Sequence, residues 1–383
     1  MTSLRLAAVC DAIYPYHRGG KELRYHEILE RLPSRGVFVD LYTMRWWEGD
    51  APAGRVRRHA ISALHPLYVG DRRSIRQSVL FALATLRLLR VPRPDVVEAD
   101  HVPYLQLFPL RLVCWLRGVP LVVTWHEVWG TAYWRSYLGP LGGSIAGIVE
   151  RLAARLPDRI VAASPETAAR LRNLGVPSDR LRVILGGVRS AEIRATPAAG
   201  GAPDVLSIGR LLRHKRHDLV VDAFARLAAD DADLRLGIVG SGPEREALER
   251  RVTALGLDGL VTFFGSLPGD SEVWALLRGA RVAAFPSERE GFGLAVAESL
   301  AAGTPTIVAD HPDNAARHLV SDGLNGSLVT PGDAAALAAA MRRWLSAPHD
   351  RDEAARRFVE SHRELSWDEA ARRYVQLLED VAA

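Results

Sequence analysis

The chain has 383 residues, 48% of them hydrophobic and 25% charged. That length exceeds one ordinary domain of ~100–200 residues and supplies apolar material for two cores. Two cysteines, Cys10 and Cys114, form neither a metal spacing nor a disulfide framework. No apolar run approaches the ~18–20 residues of a membrane span, and the N-terminus shows no signal-peptide apolar core. A reducing cytoplasm is the expected setting.

The net charge of +4 is unevenly placed: residues 1–190 carry +11 and residues 191–383 carry −7. A basic first half suits an anionic partner such as a phosphate, a lipid surface or an acidic glycan, against the plainer reading of a solvated basic face. Of the 49 basic residues, only Lys21 and Lys215 are lysine.

In the first half, the spacing predicts strands at 4–10, 37–42, 95–98, 121–125 and 160–163. Helical patterns intervene at 21–32, 73–89 and 144–156. Arginines 72, 73, 76, 87, 90 and 93 bracket the apolar helical stretch 78–89. That stretch reads either as a peripheral contact with an anionic membrane or as a crossover helix with solvated ends. The small, Pro/Gly-rich segment 194–203 reads as a linker. Strands follow at 205–208, 234–239, 261–264, 282–285 and 305–308, with helices including 218–229 and 244–255. The tail from Asp333 reads as helical throughout, and Ser366 to Glu369 as a capped helix start. Continuous Val/Ile/Leu runs alternating with helices imply an α/β chain of two tandem, doubly wound Rossmann-like domains. Their boundaries are 1–190, a linker at 191–203, and 204–360, with a C-terminal helix at 361–383 packing back on the first domain. Ligands of such sheets bind at the carboxyl ends of the strands, so the cleft between the domains is the expected site.

The motifs fall there. Gly209-Arg210-Leu211-Leu212-Arg213-His214-Lys215 follows a strand and precedes a helix, where backbone N–H groups and the helix dipole favour an anion. Arginine's fork and lysine's point charge suit a diphosphate. Next, Glu290-Gly291-Phe292-Gly293-Leu294 leads into a helix holding Glu298. The glycines admit close backbone approach. Glu298 lies in the apolar run LAVAESLAAG, where an acid without a task is uncommon. Paired carboxylates accept well from vicinal hydroxyls.

These motifs resemble the retaining glycosyltransferases of family 4, whose fold is GT-B. The resemblance rests on Glu290, seven intervening residues and Glu298, on Ala302-Gly303-Thr304-Pro305, on Gly209-Arg210 with Lys215, and on Gly240-Ser241-Gly242-Pro243. It covers most of residues 204–330 and is looser before. It implies that Glu298 holds the donor's ribose. Glu290 and the backbone of Gly291, Phe292, Gly293 and Leu294 hold the transferred sugar. Arg210 and Lys215 neutralise the leaving diphosphate, Gly240 and Gly242 line the donor site, and Leu267 lies near the base. In the first half, Gly19 and Gly20 resemble the family's glycine pair at the donor phosphate, with Lys21 beside them. His126 resembles the family's histidine at the reacting centre, although Glu127 stands where Asp is usual.

The activity implied is transfer of a sugar from a UDP- or GDP-linked donor to a hydroxyl of a glycan, glycolipid or small molecule, with no metal and no nucleic acid involved. Alternatives are a nucleotide-sugar epimerase or phosphorylase of similar fold, or a non-catalytic sugar-nucleotide-binding protein. A nicotinamide-dependent oxidoreductase is disfavoured because Arg245 stands where the glycine fingerprint after Gly240 needs its third glycine. Asp231-Ala232-Asp233 precedes a strand, at the wrong sheet end for a metal site. The aromatics Trp129, Tyr133, Trp134 and Tyr137 read equally as an acceptor loop or as core.

Overall fold

The computed structural model describes residues 4–70, 72–347 and 349–383. They form two compact units, Met1–Gly186 with Trp367–Ala383, and Gly187–Ser366.

In the first unit seven strands form one parallel sheet: β1 (Leu4–Val9), β2 (Val37–Met44), β3 (Arg57–Ser62), β4 (Val96–Asp100), β5 (Leu121–Trp125), β6 (Arg159–Ala162) and β7 (Leu181–Val183). Their order is β3-β2-β1-β4-β5-β6-β7. The helices are α1 (Gly20–Leu29), α2 (Ile75–Ala84), α3 (Leu107–Arg117), α4 (Gly130–Ala153) and α5 (Pro165–Asn173). The central strands β4 and β5 are buried at every residue, as covering both faces of a parallel sheet demands.

The second unit opens with the short helix α6 (Ser190–Ala195). Its sheet comprises β8 (Val205–Ile208), β9 (Leu236–Val239), β10 (Val261–Gly265), β11 (Val282–Phe285), β12 (Thr306–Ala309) and β13 (Gly326–Val329). The order β10-β9-β8-β11-β12-β13 is again all parallel. Helices α7 (His217–Ala228), α8 (Arg245–Ala254), α9 (Asp270–Gly279), α10 (Leu294–Ala301), α11 (Ala334–Ser346) and α12 (Arg351–Ser361) complete it. Phe224, Val220 and Ile238 are fully buried in its core. In both sheets the strand order reverses beside the first strand, the topological switch point where doubly wound sheets take ligands.

Several expectations are corrected. Segment 191–203 is no bare linker: it contains most of α6 and lies inside the second unit, whose boundary falls at Gly186. The helix predicted over 73–89 ends at Ala84 and tightens into 3-10 turns at Thr85–Arg90. Thr85 Oγ1 donates back to the Ala82 carbonyl there, at 2.6 Å. The tail beyond Asp333 is three helices, with α11 stopping before Pro348, as the residue preceding a proline disfavours the helical region.

The helix expected at 144–156 starts fourteen residues earlier and doubles back. Gly139, at φ 81° and ψ 173°, breaks α4 into two arms. A Cβ on Gly143 would lie 2.3 Å from the Arg135 backbone, and one on Gly147 would lie 2.6 Å from Thr131 Oγ1. The arms therefore touch backbone to backbone. Buried Glu150 clamps the hairpin, accepting from the N–H groups of Trp129 and Gly130 (both 2.8 Å), from Tyr104 Oη (2.9 Å) and from Trp134 Nε1 (3.2 Å).

The last helix, α13 (Trp367–Ala382), belongs to the first unit and packs on α1. Its Tyr374 hydroxyl donates to Glu98 Oε1 on β4 (2.7 Å), as does Thr124 (2.8 Å), and Tyr25 donates to the other oxygen. Burial pushes the Glu98 carboxyl up to about 7, against the pull of these donors. A carboxyl raised on folding binds its proton more tightly in the native state. Its stabilising contribution is therefore present below the unfolded value near ~4.3 and is lost as pH rises through about 7. Glu98→Gln should flatten the decline of the melting temperature between pH 5 and 7.5 relative to wild type, measured by thermal denaturation.

Candidate active site

In the second unit, the loops at the strand carboxyl ends are stitched to one another. Leu211 N donates to Ser241 O (2.9 Å), and Glu244 N donates to Leu211 O (3.1 Å). The loop after β8 thereby lies against the turn carrying Gly240 and Gly242. A Cβ would sit 1.9 Å from the Gly209 carbonyl oxygen at Gly240, and 2.4 Å from the Leu211 carbonyl oxygen at Gly242. Only glycine fits this backbone crossing.

Lys215 stands two residues ahead of α7, and Arg210 is half-buried in the same loop. The Lys215 ammonium lies 2.6 Å from Glu290 Oε1. Glu290 is held from both sides: its N–H donates to Asp313 O (3.1 Å), and its carbonyl accepts from Ala315 N (3.0 Å). Buried Asn314 pins the same loop, donating to Ser287 O and Ala309 O. Gly293, at φ 92°, caps α10, and a Cβ there would strike Ala316 Cβ at 2.3 Å. Gly291, Phe292 and Leu294 are half-buried around that helix start. Glu298 is half-buried within α10 and accepts from Trp274 Nε1 (3.2 Å). Leu267 is half-buried in the turn between β10 and α9. The Lys215 ammonium and the Glu290 carboxylate thus meet in the loops just ahead of the α10 N-terminus, with Glu298 farther along that helix. The positive groups suit a phosphate and the acids suit hydroxyl donors.

In the first unit, Gly19 caps α1, but Lys21 is not an open cation. Its ammonium lies 2.6 Å from Asp100, 3.5 Å from Asp11 and 3.7 Å from Glu22. Arg73 and Gln77 also bind Asp11. Burial works to raise Asp100, yet Lys21 and the His101 hydrogen bond hold it well below the usual carboxylate range. Lys21 is thus held in an ion cage with Arg73 and the carboxylates of Asp11, Glu22 and Asp100.

His126 follows β5, with Nε2 3.8 Å from Asp100 Oδ1. Burial pushes its pKa down to about 3 despite Asp100, so the imidazole is neutral at pH 7. Asp100, His101 and His126 form a group with metal-like spacing. Lys21 pairs with the other oxygen of Asp100, Oδ2, while both histidines face Oδ1. The Trp129, Tyr133, Trp134 and Tyr137 rings pack chiefly on one another, with Trp129 and Trp134 centroids 4.5 Å apart. Asp231 accepts from the Asp233 N–H, closing a turn on an exposed loop.

Asp11, Asp100 and Trp274 escaped the sequence reading, and Arg73 entered it only as a flank of the stretch 78–89. For Asp100 a signal existed: Glu98 and Asp100 are acids in the apolar run VVEAD, the same logic that singled out Glu298.

Two family profiles match the chain, Glycosyltransferase Family 4 over residues 18–192 and Glycosyl transferases group 1 over residues 188–365. A D-inositol 3-phosphate glycosyltransferase of Acidothermus cellulolyticus is 32% identical, with 95% of this chain and 86% of that protein aligned. The chain belongs to glycosyltransferase family 4. Another relative of this glycosyltransferase is an MMP alpha-(1->4)-mannosyltransferase of Mycolicibacterium hassiacum, 31% identical over 70% of this chain and 66% of that one. Among solved structures, sucrose-phosphate synthase from Thermosynechococcus elongatus superposes with a TM-score of 0.83 at 23% identity, covering 99% of both chains. Anabaena HepE in complex with UDP and glucose gives 0.74 at 17%, covering 98% of this chain and 100% of that one. Both confirm the GT-B fold. The enzyme moves a sugar from a nucleotide-sugar donor to an acceptor, and the epimerase, phosphorylase and non-catalytic readings fall away.

Lys215→Ala should lower kcat about 10²–10³-fold, the usual cost of removing one charge-stabilising donor. The melting temperature should change little, because the Lys215–Glu290 pair is partly solvated. Steady-state kinetics beside a melting curve check both.

Proposed function

We propose that the enzyme transfers a hexose from a UDP- or GDP-linked donor with retention of anomeric configuration and without a metal ion. The donor is assigned to the second unit and the acceptor hydroxyl to the first. The observation that carries this reading is the Lys215–Glu290 pair at 2.6 Å beside the α10 N-terminus. It sets a diphosphate-neutralising charge next to a carboxylate suited to sugar hydroxyls. Glu298 takes the ribose, Gly291 to Leu294 approach the sugar through backbone, and Leu267 neighbours the base. Gly240 and Gly242 let the phosphate-side loops close together.

In the proposed step, the donor's anomeric carbon–oxygen bond breaks while the acceptor oxygen attacks from the same face. The acceptor proton passes to the departing phosphate oxygen. Arg210, Lys215 and helix N-termini stabilise that leaving group, which is the electrostatic task a metal performs elsewhere. His126 is neutral at pH 7, so its imidazole can give or accept a hydrogen bond without carrying charge. Named relatives include GDP-mannose-dependent and inositol-phosphate enzymes. Here Lys21 and Arg73 are spent on Asp11, Glu22 and Asp100. The acceptor hydroxyl is assigned to a glycan, a glycolipid or a small natural product.

Calorimetric titration with UDP, GDP and ADP should show one nucleotide binding tightly, with binding lost in Glu298→Ala. No binding of any nucleotide would dismiss the donor assignment.

We further propose that the enzyme works at the inner membrane face from the cytoplasmic side. Among the described residues no helix is long and apolar enough to cross a membrane. Yet Ile75, Val79 and Leu83 form an exposed stripe on α2, and Leu112, Trp115 and Leu116 form one on neighbouring α3. Exposed Arg72, Arg76 and Arg90 flank them. Such a face suits anionic lipid. Vesicles containing phosphatidylglycerol should retain the enzyme in flotation, neutral phosphatidylcholine vesicles should not, and Arg72→Glu/Arg76→Glu should release it.

A further inference from the structure

Glu298 is half-buried on α10, beside the buried residues Val296, Ala297, Ser299, Leu300 and Ala301 of the same helix. Trp274 on α9 is 5% exposed. Its Nε1 donates to Glu298 Oε1 at 3.2 Å. An indole N–H donates only, so it accepts nothing from the ligand and fits only an acceptor oxygen. A buried tryptophan in turn needs a partner for that N–H. The ring is itself fixed. The Arg189 guanidinium lies 5.9 Å from its centroid and 3.7 Å from Asp270, at the start of α9.

We propose that Trp274 is a positioning residue for the nucleotide donor: its indole N–H orients the Glu298 carboxylate toward the ribose hydroxyls. This rests on the assignment of Glu298 to the ribose. Arg189 acts one step further out, by clamping the indole face.

The test compares binding of the preferred nucleoside diphosphate with binding of its 2′,3′-dideoxy counterpart, which lacks the hydroxyls. Trp274→Phe keeps a ring and removes the N–H. It should weaken the ribonucleotide about ten-fold, as loss of a hydrogen bond to a charged group does. Binding of the dideoxy nucleotide should be unchanged, and donor KM should rise more than kcat falls. Trp274→His, which keeps a ring N–H, should retain part of the ribose preference. Melting curves establish that each variant folds. If Trp274→Phe weakens both nucleotides equally, or neither, the proposal fails and Trp274 is packing alone; the same holds if His restores nothing. Glu298→Ala separates the two layers. It should abolish discrimination between ribose and dideoxyribose, and if it does not, the assignment of Glu298 itself is wrong whatever Trp274 does.

Discussion

In both units every strand pair of the main sheet runs parallel, so all the strands of a sheet end at the same edge. Each must hand its chain to a crossover, and the polar backbone freed there has to find partners outside the ladder. The site chemistry follows from that constraint. Leu211, Ser241, Glu244, Glu290 and Ala315 bond from loop to loop across successive strand ends. Polar side chains held on those loops are brought close without any strand bending toward them.

The two edges use this constraint differently. In the second unit the charges are only partly buried: the Lys215 and Glu290 side chains keep 21% and 14% exposure, which leaves them open to exchange partners with a ligand. In the first unit Asp11 and Asp100 are fully buried and their cations are turned inward. An ion cage of that kind costs desolvation that its mutual attraction must offset, and breaking one partner strands the rest. Asp100, one of its members, also lies 3.8 Å from His126 Nε2.

The return of α13 to the first unit ties the chain's end to the central strand of that unit's own sheet through Tyr374 and Glu98. The α4 hairpin is a second long-range device, since Glu150 closes a helix start twenty residues upstream. Neither depends on a local motif. Each is a buried acid that earns its stability by collecting several donors.

The sequence by itself determined the α/β alternation and the central strands, because strands buried on both faces are written as unbroken apolar runs. It also determined Gly240, Gly242 and Gly293, whose backbone positions exclude a side chain, and the acid within apolar α10. Strand β3 was illegible, since Arg57–Ser62 is half solvated and carries no continuous apolar signal, and β7 and β13 are only three and four residues long. Only the tertiary structure decided which partner each charge meets. Lys21 and Lys215 are equally rare lysines, each reached through a glycine-containing segment after a strand. One is enclosed by acids from β4 and from the β1 and α1 segments, and the other stays half open beside Glu290. The difference is set by residues up to 79 positions away, at distances that no local pattern encodes.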